Sequence, residues 1–165
     1  MLSLWLLLCW SLALSSAGPE AWALGKHYQR SLKRQFNFII SKHPRYLWGG
    51  SSDLEKGLDC SGYLFLAAKW AAIPGITRTT SVRMSMGSGG WTGRDISLDE
   101  ADECDLTFWT FADNRPCGHV GALLRDANGK LKVTHAGVRR GVVLENLRGP
   151  MFPNLTKVRR LTIGD

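Results

Sequence analysis

One cysteine and two histidines of this chain have the types and the order that thiol chemistry needs. Cys60 stands in an Asp-Cys-Ser-Gly sequence that follows a glycine-rich stretch, and His119 and His135 come later in the chain. A thiolate attacks a carbonyl carbon efficiently when one histidine takes the thiol proton and a second polar group orients that histidine. The order therefore predicts a nucleophile, a base and an orienting residue.

The residues around Cys60 predict that it lies in the first turn of a helix. Asp59 is a favoured N-cap residue, and the apolar run from Tyr63 to Ala72 has helical spacing. Unpaired backbone N–H groups and the positive end of the helix dipole at such a place favour the thiolate, so we expect a lowered thiol pKa. An isolated cysteine can also be a small buried apolar residue, and only the two histidines favour chemistry over packing.

His119 and His135 lie in two segments that predict neighbouring strands. Because side chains alternate along a strand, the loop between the strands decides whether the two histidines share a face. A three-residue loop at 127–129, with Gly129 in the left-handed conformation, puts both on one face. If the cysteine helix packs across that face, His119 can accept the proton of Cys60 and His135 can orient His119.

The remaining patterns predict an α+β domain with helices first and a small antiparallel sheet after them. An amphipathic helix is expected from Lys26 to Ser41, ending before His43-Pro44, with His27 and His43 at the surface. The predicted strands are 105–111, 119–124, 131–136, 142–144 and 158–163. The segment 73–93 and the acidic cluster 99–103 carry loop signals, and the cluster lacks the ligand spacing of a calcium loop.

The first part of the chain differs in kind from the rest. The chain has 165 residues, of which 44% are hydrophobic, enough for one globular domain. Residues 2–14 are almost wholly apolar, and small-x-small sequences end at Ala17 and Ala23. No Lys or Arg precedes the apolar run, but the run is short for spanning a bilayer. We therefore predict a signal peptide at 1–23, a single domain at 24–165, and a secreted or periplasmic location.

The charge balance predicts an anionic partner. Removal of residues 1–23 takes away only Glu20 among the charged residues, which leaves 21 Lys and Arg against 13 Asp and Glu, a net charge of +8. Such a charge attracts the cell wall, a membrane surface or nucleic acid, although solubility alone could explain it. The tryptophans fall mostly in predicted core elements or in the signal segment, so no stacking surface for nucleic acid is evident. We expect a monomer without a nucleic acid partner and without membrane insertion after signal cleavage, and the charge alone leaves open which anionic surface attracts it.

The cysteines of the domain predict free thiols. Cys104 and Cys117 are available for a disulfide in an exported protein. If 105–111 and 118–124 form a hairpin, Cys104 lies at the open end and Cys117 near the turn, ~20 Å apart at strand rise. A disulfide needs Cα atoms within about 7 Å, so we predict that the two are not bonded.

Six short motifs in a fixed order resemble those of the NlpC-type cell-wall cysteine peptidases. They are Tyr46-Leu-Trp-Gly-Gly, Asp59-Cys-Ser-Gly-Tyr, Arg78-Thr-Thr, Asp105-Leu, His119-Val-Gly and His135-Ala. The resemblance spans roughly residues 27 to 163. It implies a papain-like fold, in which the nucleophile cysteine begins a helix packed on a small antiparallel sheet. It also implies hydrolysis of peptidoglycan stem peptides, between D-glutamate and a diamino acid, without a cofactor.

The resemblance also implies a role for each matching residue. Cys60 corresponds to the nucleophile, His119 to the base and His135 to the third polar residue. Tyr46 matches a tyrosine beside the nucleophile that assists the oxyanion. The remaining matches are Asp59 and Ser61, near the stem-peptide amine, and Arg78, a candidate contact for a substrate carboxylate. The sequence departs from the family at Glu103-Cys-Asp-Leu106, where Pro-Gly-Asp-Leu is usual.

Other functions stay open at this stage. An amidase that cuts the sugar-to-peptide bond, or a lipid acyltransferase, could use the same fold and thiol. One cysteine and two histidines could also bind zinc, although their spacing contains no close ligand pair. A basic module that binds wall polymer without cleaving it is the alternative from another class.

Overall fold

The structure, a computed structural model, describes residues 25–110, 116–149 and 152–162. Its helices are α1 (Lys26–Lys42), α2 (Cys60–Trp70) and α3 (Ser81–Ser85). Its strands are β1 (Gly93–Ile96), β2 (Leu106–Trp109), β3 (His119–Arg125), β4 (Leu131–Gly137), β5 (Gly141–Asn146) and β6 (Leu155–Leu161). Short 3-10 turns lie at Leu98–Glu100 and Phe152–Asn154. The predicted signal peptide lies outside the described residues, as do Phe111 and Ile163 of the predicted strands.

Helix α1 forms where the apolar spacing predicts it. Leu32, Phe36 and Ile39 are buried on one face of the helix. The helix ends at Lys42, and its C-cap His43 takes a left-handed conformation with φ of 48° directly before a proline. His27 and His43 are exposed, as predicted.

The six strands form one antiparallel sheet in the order β1-β6-β2-β3-β4-β5. The last strand of the chain therefore lies between β1 and β2. The prediction that 73–93 forms loops was wrong at α3, where Thr80 accepts a hydrogen bond from the Arg83 N–H as the N-cap. Strand β1, which begins at Gly93, was also missed, because its hydrogen-bonding partner is a strand at the far end of the sequence.

The β3–β4 hairpin confirms the predicted loop. Asp126 N–H donates to the Lys130 carbonyl at 2.9 Å, which leaves the three residues 127–129 as the loop. Gly129 has φ of 75°, in the left-handed region. The register pairs Ala122 with Thr134, so His119 and His135 lie on the same face of the sheet.

Helix α2 covers the other face. Its core contacts include the side chains of Val120, Ala122 and Ala136, and Tyr63 Oη hydrogen-bonds Thr134 Oγ1 at 2.8 Å. A second cluster of Trp109, Leu123 and Val133 lies on the histidine side of the sheet. The expectation that the cysteine helix packs across the histidine face is therefore wrong, since strand alternation leaves the histidines on the opposite side. The N-terminus of α2 instead meets β3 where that strand begins.

The cysteine prediction is confirmed. Cys60, Cys104 and Cys117 are free, and Cys104 N–H donates to the Leu123 carbonyl, at the open end of the β2–β3 hairpin.

In the acidic cluster, Glu103 pairs with Lys33 at 2.7 Å. In the part of the chain that the structure describes, no three His, Cys, Asp or Glu side chains group in a way that could hold a metal ion. No helix of that part has the length and apolar character needed to cross a membrane.

Candidate active site

Asp59 fixes the start of the cysteine helix. Its carboxylate accepts hydrogen bonds from the Gly62 N–H at 2.6 Å, the Gly49 N–H at 3.0 Å and the Ser61 hydroxyl at 3.0 Å. Arg78 adds an ion pair at 2.7 Å. The N-cap predicted from the sequence is confirmed, and Cys60 is the first residue of α2. Because the carboxylate binds both the helix start and the preceding loop, it holds the two together.

The glycines of this region allow two backbones to touch. A Cβ at Gly62 would lie 1.9 Å from the carbonyl oxygen of Gly50. No side chain fits there, so the glycine-rich loop packs directly on the first turn of α2. This contact gives a physical reason for the glycine of the Asp-Cys-Ser-Gly motif.

Burial dominates the electrostatics of the Cys60 thiol. It raises the thiol pKa to about 11, although the Val120 and Ser61 backbone N–H groups favour the thiolate. The Asp59 charge raises the pKa further and the Arg78 charge lowers it. The expectation of a lowered pKa is wrong, because the favourable helix-start position is outweighed by loss of solvent around a thiol that is 8% exposed. The Val120 contact places the sulfur beside the residue that follows His119.

The two histidines form a buried hydrogen-bonded pair. His119 Nε2 lies 2.9 Å from His135 Nδ1. The two rings are arranged edge to face, with their centroids 4.9 Å apart. Gly121 makes this possible, because a Cβ there would lie 2.7 Å from the Thr134 carbonyl and 3.1 Å from His135 Cβ. The glycine of the His-Val-Gly motif thus lets β4 approach β3 closely.

Both histidines are held neutral. Burial, and then the neighbouring His135, lowers the pKa of His119 to about 3. Burial also lowers the pKa of His135, against the carboxylate of Glu145, which raises it. A neutral imidazole can act as a general base toward a thiol, since one of its ring nitrogens carries a lone pair.

The other predicted site residues lie around the same thiol. Tyr46 forms a parallel β-bridge with Leu58. Burial raises the pKa of Tyr46 to about 12, with further contributions from the Cys60 and Asp59 charges, so its hydroxyl stays a hydrogen-bond donor. Arg78 donates to Ser61 Oγ at 2.8 Å and also to the Thr79 carbonyl. Asp59, Ser61 and Arg78 therefore form one network next to the cysteine, and their roles toward substrate stay predictions.

Two residues near the histidines were missed by sequence reasoning. The Trp109 ring lies 5.8 Å from that of His119 and 6.4 Å from that of His135. Glu145 Oε2 lies 3.5 Å from His135 Nε2. The sequence does offer a signal for Glu145, since it is an acidic residue directly after the predicted strand 142–144. Trp109 could be found only from the strand register, which pairs it with His119 and which the sequence does not show.

The helix that begins at Cys60 and packs on an antiparallel sheet with a buried histidine pair agrees with a papain-like fold. The model of the NlpC/P60 family matches residues 43–160, well over half of the chain. The chain therefore belongs to the NlpC/P60 family.

Solved structures of low sequence identity share the fold. An NLP/P60-family protein of Staphylococcus aureus, described as similar to a lipoprotein, is 20% identical with a TM-score of 0.66, covering 89% of this chain and 45% of that one. The peptidoglycan hydrolase RipB of Mycobacterium tuberculosis is 24% identical with a TM-score of 0.55, covering 86% of this chain and 70% of that one. RipD of the same organism, a non-catalytic NlpC/P60 domain protein adapted to peptidoglycan binding, is 16% identical with a TM-score of 0.56, covering 81% and 95%. None of the curated proteins matches this chain. These neighbours share the fold, and by their names one is a peptidoglycan hydrolase and another is non-catalytic.

Proposed function

We propose that this chain is a cysteine peptidase that hydrolyses peptidoglycan stem peptides between D-glutamate and the diamino acid. The observation that carries the proposal is the combination of Cys60 at the start of α2 with the buried His119–His135 pair. Family membership, and a neighbour named as a peptidoglycan hydrolase, support the substrate class.

The chemistry follows from the neutral groups of the site. The Cys60 sulfur attacks the carbonyl carbon of the scissile bond while its proton passes to His119. Since His119 Nε2 is engaged with His135, Nδ1 is the nitrogen that takes the proton. The negative charge that develops on the carbonyl oxygen is stabilised by N–H groups at the start of α2 and by the neutral Tyr46 hydroxyl.

The second half of the reaction returns the proton. His119 gives it to the leaving amine as the C–N bond breaks, which leaves a thioester on Cys60. Water then attacks the thioester, with His119 again accepting a proton, and the thiol and a carboxylic acid are regenerated.

The test uses purified muropeptides incubated with residues 24–165 and analysed by mass spectrometry. We expect a cut between D-glutamate and the diamino acid, and no cut with a Cys60→Ala variant. Free glycan strands without a cut in the stem would instead identify an amidase. Binding of muropeptides without any cleavage would place the chain with non-catalytic members, and transfer of acyl groups to or from lipid would identify an acyltransferase.

We further propose that a basic ridge on α1 contacts anionic wall polymer. The ridge consists of Lys26, Arg30, Arg34, Phe38 and Lys42, spaced four residues apart and all exposed. Like charges at this spacing cost a helix about 0.2–0.5 kcal/mol per pair, and α1 contains no acidic residue to offset them. Such an arrangement suits a bound polyanion better than it suits stability.

Sedimentation with purified wall polymer tests the ridge. The triple variant Lys26→Gln, Arg30→Gln, Arg34→Gln is compared with a control that loses the same charge from other exposed sites, at Arg83, Lys130 and Arg139. We expect the ridge variant to lose most of the salt-sensitive binding and the control to keep it. Equal losses would show that net charge alone attracts the polymer.

We also propose a location and an assembly state for this chain. We propose export by the signal peptide at 1–23, which predicts Gly18 or Leu24 as the first residue of the mature protein. Mass spectrometry of the exported protein would identify that residue, and an intact Met1 would contradict cleavage. Light scattering of the mature domain is expected to give the mass of a monomer.

A further inference from the structure

The Glu145 carboxylate lies near His135 Nε2, whereas His119 meets the other ring nitrogen, Nδ1. Its Oε2 is 3.5 Å from His135 Nε2, and its Oε1 is 3.1 Å from Arg140 Nη1. His135 Nε2 is fully buried and makes no hydrogen bond of good geometry. The carboxylate therefore faces a ring nitrogen whose hydrogen-bonding capacity is otherwise unsatisfied. Glu145 is itself about three-quarters buried, with a side chain that is 26% exposed.

We propose that Glu145 is a positioning residue that fixes the tautomers of both histidines and so prepares His119 as the base. The proposal rests on the proposed thiol chemistry and extends it by one residue. An ionised carboxylate only accepts hydrogen bonds, so it selects the His135 tautomer that carries its proton on Nε2.

The consequence passes along the hydrogen bond between the rings. When His135 carries its proton on Nε2, its Nδ1 is an acceptor. The 2.9 Å contact then requires His119 to carry its proton on Nε2. His119 Nδ1 is left with a lone pair, which is the form that can take the thiol proton.

Charge acts in the same direction as the tautomers. The groups that face His135 are His119 from β3, the uncharged Trp109 ring from β2, Glu145 from β5 and Arg140 from the β4–β5 turn. Glu145 raises the pKa of His135 and Arg140 lowers it. Glu145 thus stabilises the positive charge that the pair gains when the thiol proton arrives, while Arg140 holds the carboxylate in place.

The 3.5 Å separation is consistent with this role. It exceeds a good N–H···O hydrogen bond by about half an ångström. Hydrogen bonds of catalytic groups are often long in the absence of substrate and shorten when charge develops. A small rotation of the Glu145 side chain about its anchor on Arg140 would close the gap.

The experiment compares Glu145→Gln with Glu100→Gln, which removes a carboxylate near the opposite edge of the sheet. Three quantities are measured: kcat and KM on a stem peptide, the rate of Cys60 alkylation by iodoacetamide against pH, and the ¹⁵N shifts of the histidine rings. For Glu145→Gln we expect kcat to fall about 10- to 100-fold with little change in KM, as is found when carboxylates behind metal-bound histidines are removed. We expect the alkylation profile to move to lower pH and the ring shifts to show mixed tautomers, and Glu100→Gln to leave all three unchanged.

The ring shifts and the alkylation profile separate this proposal from the proposed function. They report on the histidines and the thiol even if no stem peptide is cleaved. Unchanged tautomers and an unchanged alkylation profile in Glu145→Gln would overturn the positioning role. Glu145→Asp, which keeps the acceptor, is expected to restore the tautomers in part, and equal behaviour of the aspartate and glutamine variants would also overturn it.

Discussion

Buried neutral histidines make the folded protein sensitive to acid. His119 has its pKa lowered to about 3 by burial and by His135. In the unfolded chain the same side chain binds a proton near its ordinary pKa of about 6.5. Because the unfolded state then binds more protons than the folded state, stability is fully present above pH 6.5 and is lost as the pH falls toward 3.

The size of the effect follows from linkage. Between pH 6.5 and pH 5.0, a single histidine that stays neutral in the fold lowers the free energy of unfolding by about 1.7 kcal/mol, at ~1.4 kcal/mol per pH unit once the unfolded chain is protonated. This figure needs only a folded pKa well below 5. His135, whose pKa is also lowered, adds a loss of the same sign. Against a total stability of about 5–15 kcal/mol, such losses are readily measured.

Urea unfolding monitored by tryptophan fluorescence at several pH values between 5.0 and 6.5 provides the assay. Trp91 and Trp109 are buried and should report the transition. In His119→Gln we expect the decline in unfolding free energy over this range to shrink by about 1.7 kcal/mol, whatever the variant's stability at pH 6.5. The control His27→Gln changes an exposed histidine and should keep the wild-type slope. A His119→Gln slope equal to that of the wild type would refute the burial argument.

Three further predictions concern the thiol side of the molecule. Asp59→Ala should lower the free energy of unfolding by about 2–4 kcal/mol, since it removes an N-cap and a charge-assisted hydrogen bond to Arg78. Asp59→Asn keeps the cap and should cost about half as much. Urea unfolding measures both losses, and equal losses would contradict separate roles for the cap and the charge. Gly62→Ala places a Cβ 1.9 Å from a backbone carbonyl oxygen. In protein that is still folded by circular dichroism, it should reduce the proposed peptidase activity and the rate of Cys60 alkylation at least tenfold. Gly25→Ala, where nothing lies within 4 Å of the added Cβ, should reduce neither. Burial, and then neighbouring acids, raises the pKa of Cys104 to about 12. The contribution of this thiol to stability should therefore be complete below pH 9 and fall above it. In urea unfolding, Cys104→Ala should show a shallower alkaline decline in the free energy of unfolding than the wild type.

Local sequence signals predicted much of the site and the shared face of its histidines. Asp59 as an N-cap predicts the start of the helix, and the three-residue loop ending at Gly129 puts His119 and His135 on one face of β3 and β4. Both the helix start and the shared face therefore follow from residues close in sequence. The sign of the Cys60 pKa shift did not follow, because it depends on how much chain covers the thiol. Strand β1 was missed for a related reason, since Gly93 to Ile96 is a strand only by pairing with β6. Glu145 directly follows the predicted strand 142–144, but its position beside His135 depends on the register of β4 against β5, which no local pattern supplies.

The position of β6 has a consequence for how the protein can be made. This strand is the last in the chain, yet it separates β1 from β2 and hydrogen-bonds both. A nascent chain that lacks it leaves β1 without its neighbour in the sheet and one edge of β2 open. Contacts between such distant segments form late, because the intervening chain must first lose its freedom. The sheet that carries both histidines can therefore be completed only after residue 161 has been synthesised.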